Sequence, residues 1–322
     1  MKKKVFLTRT LHDFALKELK KRYHVEVHSG KIPIPQTKLQ SKIKEIDGLI
    51  CFPYDKISKE AIESAKNLKV ISTYSVGFDH IDTESAKKKK IRVGYTPEVL
   101  TDATANLAFS LLLDISRRIS EGDRIIRNGE WKEVYGAFDY VGVDLKDKTI
   151  GILGLGRIGE TVAKRAKAFD MKIIYHNRKQ VSKTKERTLN AKYVSFEELI
   201  SQSDFVSIHV PHTEDTDQLF GINVFKKMKK SAYLINTSRG KVVNQEDLVT
   251  ALKKKIISGA GLDVFEIEPV KKNHPLVKLE NIVLAPHIGS STEETRSKMA
   301  EITVKNLDLG MNGEKPTYSV GY

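Results

Sequence analysis

The sequence predicts an α/β chain with two doubly wound parallel-sheet domains, and three observations predict it. From residue 3 to about 97, short apolar runs of strand type alternate with segments of helical period. A second alternation of the same kind begins at Thr149. Between them, Leu100 to Asn128 is one helical stretch, too long for a simple crossover. Such alternation builds a parallel sheet, because each parallel pairing needs a crossover and the crossover helix packs on the sheet.

In the first alternation, Lys4 to Thr8 reads as a strand, Asp13 to Arg22 as a helix, and His24 to His28 and Gly48 to Phe52 as strands. Lys59 to Asn67 reads as a helix, Val70 to Tyr74 as a strand, Thr83 to Lys90 as a helix and Ile91 to Tyr95 as a strand. Ser75-Val76-Gly77-Phe78-Asp79 follows a strand's carboxyl end, where open α/β sheets place ligands. Taken alone it reads as a plain turn. Thr96-Pro97 breaks the pattern, and the long helix Leu100 to Asn128 follows, with Thr101 or Asp102 as its cap. Its centre, Leu107 to Ile115, is apolar nearly all round, which predicts burial, in part against a second subunit. Gly129 to Asp147 holds the only tryptophan, Trp131, has no sustained period and reads as an arm or long loop.

The second alternation opens with Thr149 to Glu160, TIGILGLGRIGE. Thr149 to Leu153 is of strand type, Gly154, Gly156 and Gly159 stand in G-x-G-x-x-G spacing, and Glu160 to Phe169 continues at helical period. The first glycine permits a tight turn, the second lets a pyrophosphate approach the backbone, and the third lets helix and strand pack closely. The helix N-terminus then faces the phosphates with unpaired N–H groups and the positive end of its dipole. Gly154, Gly156, Arg157, Ile158 and Gly159 are therefore cofactor-binding candidates. Beyond them, Lys172 to His176, Phe205 to Val210, Ala232 to Asn236, Gly259 to Val264 and Ile282 to Ala285 read as strands. Phe196 to Ser201, Phe225 to Lys229 and Asp247 to Lys255 read as helices. The last helix, Thr292 to about Asn312, has no strand left to serve in this half and is expected to pack on the first domain. That makes the first domain discontinuous, 1–98 with 289–322, and makes 99–288 the dinucleotide half.

Composition narrows the partners. The 322 residues are 40% hydrophobic and 30% charged, as in an ordinary globular protein, and carry a formal charge of +14. The charge favours anions such as phosphorylated cofactors and carboxylate substrates. Nucleic acid is disfavoured, since runs such as Lys87 to Lys90 and Lys253 to Lys255 read as solvated helix faces with no interleaved aromatics. The single cysteine, Cys51, excludes an internal disulfide, fits a reducing compartment and reads as a packed thiol. The start, MKKKVFLTRTL, is too short in apolar residues for a signal peptide, and no stretch is apolar enough to span a membrane. The expected location is the cytoplasm, and no residue set calls for a metal.

An acidic residue about 20 positions beyond the glycines ordinarily takes the ribose hydroxyls of NAD. Here the place reads Tyr175-His176-Asn177-Arg178-Lys179. Asn177 is neutral, and Arg178 and Lys179 can pair with a 2′-phosphate, which predicts NADP(H) over NAD(H). Three later strand ends carry a guanidinium in Asn236-Thr237-Ser238-Arg239-Gly240, a carboxylate in Asp263 to Pro269, and an imidazole in Ala285-Pro286-His287. All are expected at the carboxyl edge that carries the glycine turn. Hydride transfer to a 2-oxo acid needs a cation for the carboxylate and a proton donor for the developing alkoxide. Arg239 suits the first role and His287 the second, with Glu268 keeping His287 protonated. His80, His209, His212 and His274 lack such companions and read as structural.

Taken together, SVGFDHID, VGYTPEVLTDATANLA, GLGRIG, INTSRG, GLDVFEIEP and APHIGSST resemble the D-2-hydroxyacid dehydrogenase family over nearly the whole chain. Within that family, VGYTPEVLTDATA with YHNR is most similar to the glyoxylate/hydroxypyruvate reductases. The resemblance implies a Rossmann dinucleotide-binding domain inserted into a flavodoxin-like substrate domain. It implies a proton-donating His287, an orienting Glu268, a substrate-binding Arg239, and Val76 and Gly77 amides on the substrate carboxylate. Asp263 would lie near the nicotinamide carboxamide, Thr104, Pro211 and Thr237 would line the cofactor, and Gly289 would join these contacts. The long helix, 100–128, would form a homodimer. Two places depart from the family pattern: Cys51-Phe52-Pro53-Tyr54 is a bulkier pocket loop, and His212 stands where leucine is more usual. The activity so implied is NADPH-linked reduction of glyoxylate or hydroxypyruvate. The alternatives are an NAD-linked member acting on phosphoglycerate or D-lactate, and a dinucleotide-sensing regulator without catalysis.

Overall fold

Aliphatic runs buried on both faces suit parallel strands, whose crossover helices cover the sheet from both sides. The computed structural model describes residues 2–321. By their contacts they divide into two units, 1–100 with 290–322 and 101–289. The boundaries fall after Leu100 and Gly289, two residues and one residue beyond those expected from the sequence.

The first unit runs β1 (Lys4–Leu7), α1 (Asp13–Arg22), β2 (His24–Val27), α2 (Gln36–Ile43), β3 (Gly48–Cys51), α3 (Lys59–Ser64), β4 (Val70–Thr73), α4 (Thr83–Lys88) and β5 (Arg92–Gly94). The strands are parallel in the order β2-β1-β3-β4-β5, the flavodoxin-like arrangement. β3 and β4 are buried at every position, as befits the middle of a doubly covered sheet. Helix α2 is absent from the sequence reading because it is short and buries only Leu39 and Ile43, a single i,i+4 pair. α3 stops three residues early because Ala65 turns to an extended conformation, ψ 128°.

The second unit opens on α5 (Thr101–Arg117) and α6 (Ile119–Arg127), which corrects the single helix expected over 100–128. The break is at Arg118, φ 58°. There the Asp114 carboxylate replaces the helical carbonyl as acceptor for the Ser120 N–H at 2.7 Å, and Tyr140 donates to the Arg118 carbonyl at 2.7 Å. The Arg118 guanidinium lies over the Tyr140 ring at 4.0 Å and pairs with Glu121 through Nε and Nη2. An arm residue thus breaks a stretch whose own sequence would continue as helix. β6 (Thr149–Leu153), α7 (Arg157–Ala168), β7 (Lys172–His176), α8 (Lys183–Leu189), β8 (Ala191–Tyr193), α9 (Phe196–Gln202) and β9 (Phe205–Ile208) follow. Then come α10 (Ile222–Phe225), β10 (Tyr233–Asn236), α11 (Gln245–Lys253), β11 (Gly259–Leu262) and β12 (Ile282–Leu284). α10 lies three residues before the helix expected at 225–229, and α8 with β8 is an unforeseen addition at the sheet's edge.

All seven strands of this unit are parallel, ordered β12-β11-β10-β9-β6-β7-β8. The chain leaves β6 toward β7 and later returns to its other side as β9, so β6 and β9 flank the topological switch point. Register places His176, Leu153, Ile208, Asn236, Leu262 and Leu284 side by side as the last residues of six strands. The loops that follow therefore emerge as one row. α5 packs on α7, β10, β11 and β12 through Ala108, Leu111, Leu112 and Ile115. After β12 the chain re-enters the first unit as α12 (Glu293–Met311), capped by Thr292 and packed on β3, β4 and β5. Among the described residues, no helix is long and apolar enough to cross a membrane.

Candidate active site

At the switch point the glycine turn has the shape that its residues imply. Gly154 takes φ +96°, and a Cβ there would meet the His209 carbonyl group at 2.9 Å. A Cβ on Gly159 would lie 2.2 Å from the Gly154 oxygen, so only glycine lets α7 start this close to β6. A Cβ on Gly156 would meet nothing within 4 Å. The turn is thus tight on two sides and open on the third. The first-turn amides of Ile158 and Gly159 have no intrahelical acceptor and lie where a helix binds anions. Arg157 is exposed beside them.

Asn177 braces this turn, its Oδ1 accepting the Leu155 N–H at 2.6 Å while its carbonyl accepts the Tyr193 hydroxyl at 3.1 Å. Arg178 and Lys179 follow it, both exposed and, among the described residues, in no ion pair. His209, beneath Gly154, pairs its Nε2 with the Ser207 hydroxyl at 2.8 Å, and burial pushes its pKa down to about 4. It is a neutral support, as its lack of companions predicts. Pro211 is exposed and its carbonyl accepts from Thr216 Oγ1 at 2.7 Å.

The loops after β10, β11 and β12 carry Arg239, Glu268 and His287. The Asn236 side chain, 1% exposed, accepts from the Ser238 N–H at 3.0 Å and donates to the Arg239 carbonyl at 3.0 Å. It folds the turn that presents Arg239, whose Nη1 also donates to the Ser238 carbonyl at 2.8 Å. Gly240 lies so close to the next loop that a Cβ would sit 1.9 Å from the Phe265 carbonyl carbon. The Phe265 N–H in turn donates to Glu268 Oε1 at 2.8 Å. Glu268 Oε2 meets His287 Nδ1 at 2.7 Å. With a carboxylate on Nδ1, that nitrogen carries a proton toward Glu268 and Nε2 is the position for proton exchange.

His287 itself has φ +55°, the left-handed region that costs a non-glycine residue on the order of 1 kcal/mol or more. Asp263, 1% exposed, holds it there: Oδ1 accepts the Ile288 N–H at 2.7 Å and Oδ2 the Gly289 N–H at 2.9 Å. Burial pushes the Asp263 carboxyl above its ordinary range, with the Ile288 N–H and nearby His287 among the influences opposing it. Thr104 on α5 donates to the Gly289 carbonyl at 3.1 Å. The structure therefore joins Thr104, Arg239, Asp263, Glu268, His287 and Gly289 through neighbouring loops of one unit. Val76 and Gly77 lie in the other unit, on the loop after β4. Asn236 and the bracing role of Asp263 escaped the sequence reading; an Asn two residues before Ser238 at a strand end is an Asx-turn signal that could have found the former.

These features fit a dinucleotide. Gly156 faces open space at a helix N-terminus, and the buried Thr237 hydroxyl has no hydrogen-bond partner among the described residues. The profile described as D-isomer specific 2-hydroxyacid dehydrogenase, NAD binding domain, matches residues 109–289. A glyoxylate reductase of Thermococcus litoralis is 49% identical over 98% of this chain and 96% of its own. The chain belongs to the D-isomer-specific 2-hydroxyacid dehydrogenase family. Among solved structures of similar proteins, one from Thermus thermophilus superposes with a TM-score of 0.92 at 43% identity, covering 99% of this chain and 100% of that one. An NADPH-dependent glyoxylate/hydroxypyruvate reductase of Sinorhizobium meliloti, in complex with NADP and malonate, has a TM-score of 0.87 at 27% identity over 100% and 97%. The dehydrogenase's cofactor is a nicotinamide dinucleotide.

The neutral His209 gives this dehydrogenase a distinct acid sensitivity. Its folded pKa lies below the 6.5 of the unfolded side chain, so the unfolded chain binds the proton more readily. The stabilisation is complete above about pH 6.5 and is lost as pH falls toward 4, by up to about 3 kcal/mol. Denaturant midpoints at pH 7 and pH 4.5 should fall more for the wild type than for His209→Gln. Equal pH slopes would refute this account of His209.

Proposed function

We propose that this dehydrogenase reduces glyoxylate to glycolate and hydroxypyruvate to D-glycerate, with NADPH preferred over NADH. The observation that carries the reading is the 2.7 Å contact between His287 Nδ1 and Glu268 Oε2, in the row of strand ends that carries the glycine turn. Arg239 and the amides of Val76 and Gly77 hold the substrate carboxylate. When bound, the nicotinamide supplies a hydride to the oxo carbon. His287 gives its Nε2 proton to the oxo oxygen as negative charge develops there, and Glu268 stabilises the imidazolium before transfer and holds the ring afterwards. Thr104, Thr237, Pro211, Asp263 and Gly289 serve as cofactor contacts, with Asp263 also keeping the His287 loop in place. Names of the relatives support the substrate, and the exposed Arg178 and Lys179 support the 2′-phosphate.

The absorbance of the reduced nicotinamide, followed with glyoxylate, checks both parts. NADPH should be oxidised at the higher kcat/KM, and replacing Arg178 and Lys179 together by Gln should lower that value about tenfold or more while leaving the NADH rate near its original level. An NADH preference in the wild type would refute the account of this loop. In the same assay His287→Ala should lose on the order of 10²- to 10⁴-fold in rate. Undiminished turnover would sink the proton-donor assignment.

We also propose a homodimer built through α5, α6 and the arm after them. Helix α6 buries none of its residues within the chain, leaving Ile119 and Ile126 exposed, and the arm exposes Val134 at 88% and Phe138 at 93%. Apolar side chains in that number on neighbouring segments suit a protein interface. Light scattering should give twice the monomer mass, and Ile126→Asp with Phe138→Asp should give the monomer. A wild-type monomer at micromolar concentration would overturn the dimer.

A further inference from the structure

The loop after β4 is tied from below by a chain of hydrogen bonds that the catalytic scheme does not use. Ser75, 6% exposed, has one hydroxyl proton, and its Oγ lies 2.6 Å from the Gly77 carbonyl, which can only accept. Thr73 Oγ1, fully buried, lies 2.7 Å from the same Ser75 Oγ. Since the Ser75 proton is committed to Gly77, the Thr73 hydroxyl donates to Ser75. With its one proton so committed, Thr73 can only accept from its remaining neighbours, His80 Nε2 at 3.0 Å and the buried Cys51 thiol. The direction is fixed along the whole chain: His80 Nε2–H to Thr73, Thr73 O–H to Ser75, Ser75 O–H to the Gly77 carbonyl.

This pins the loop's most mobile point. Gly77 has the widest backbone freedom in the segment, and the bond to its carbonyl fixes the peptide that follows it. The preceding Ser75–Val76 peptide is held as well, its carbonyl accepting the Thr96 N–H at 2.8 Å. The Val76–Gly77 peptide thus sits between two anchored neighbours. His80 is itself seated by its own backbone, whose carbonyl accepts the Ile57 N–H at 2.8 Å, and its ring lies 3.9 Å from the buried Cys51 sulfur.

We propose that His80, Thr73 and Ser75 are positioning residues for substrate binding: a one-way hydrogen-bond chain that holds the Val76 and Gly77 amides in the orientation that receives the substrate carboxylate. The inference rests on the functional reading above, in which those amides bind that carboxylate. It gives His80 a role in affinity for the 2-oxo acid and none in hydride or proton transfer. Ser75 makes the bond to Gly77, and Thr73 acts on the loop only through Ser75, so removing Thr73 adds nothing once Ser75 is gone.

The test compares Thr73→Val, Ser75→Ala, the double variant, His80→Gln and His80→Phe, each checked for an unaltered circular dichroism spectrum. KM for glyoxylate should rise about tenfold in Thr73→Val and in Ser75→Ala, the worth of one buried hydrogen bond, and no further in the double variant. kcat and KM for NADPH should stay within about twofold, a split that general loosening of the fold would not give. His80→Gln, which retains an N–H donor, should recover most of the affinity that His80→Phe loses. Titration of oxalate into the NADP-loaded enzyme reads the same loop without turnover. Unchanged KM and oxalate affinity in Thr73→Val and Ser75→Ala would overturn the chain's role, as would additive effects or a parallel loss in kcat and in KM for NADPH. A wild type that binds oxalate through this loop and reduces no 2-oxo acid would instead count against the functional reading.

Discussion

The geometry around His287 depends on one buried carboxylate. Asp263 accepts two successive backbone N–H groups, Ile288 and Gly289, and so holds His287 at φ +55°. A histidine in the left-handed region relaxes unless its surroundings over-determine it. Here two hydrogen bonds to one carboxylate supply that constraint, and burial of the carboxylate keeps water from competing for them. From that fixed backbone the imidazole reaches Glu268, and Glu268 is fixed in turn by the Phe265 amide. The imidazole–carboxylate pair is thus oriented by main-chain groups at both ends.

Much of the architecture was legible because it follows from period and position. The strands read off apolar runs such as Thr149–Leu153 and Lys172–His176 coincide with those observed, since parallel strands buried on both faces have no polar face to blur them. The failures have local causes. At the end of α5, Arg118 contacts Glu121 and Tyr140 while Asp114 takes the Ser120 amide, and Tyr140 lies 22 residues from Arg118 on an arm that no short window of sequence includes. α2 and α8 are short, and α8 buries only Leu189, so their period was too brief to register although tertiary contacts and the Ser182 cap suffice to form α8.

The candidate site was legible by a different logic. Arg239, Glu268 and His287 were each ordinary alone, and only their common place after strand ends pointed to one centre; register aligns Asn236, Leu262 and Leu284, the residues that end those strands, in a row. What stayed hidden were the supports. Asn177 read as a neutral cofactor-binding candidate where an acid is ordinarily found, and its side chain holds the Leu155 amide. Asn236 and Asp263 act through backbone partners, and a sequence names side chains but not the amides they will meet. The distinction between groups that touch a ligand and groups that hold them in place is visible only in three dimensions.

The close approach of Gly240 to the Phe265 carbonyl has a mechanical consequence. The turn that offers a cation and the loop that anchors the imidazole–carboxylate pair share a backbone contact with no room for a methyl group. At this contact neither backbone can shift without displacing the other, so a movement of the turn after β10 is passed directly to the loop that holds Glu268. The turn and the loop therefore behave as one mechanical unit, and a strain introduced at either reaches the imidazole–carboxylate pair.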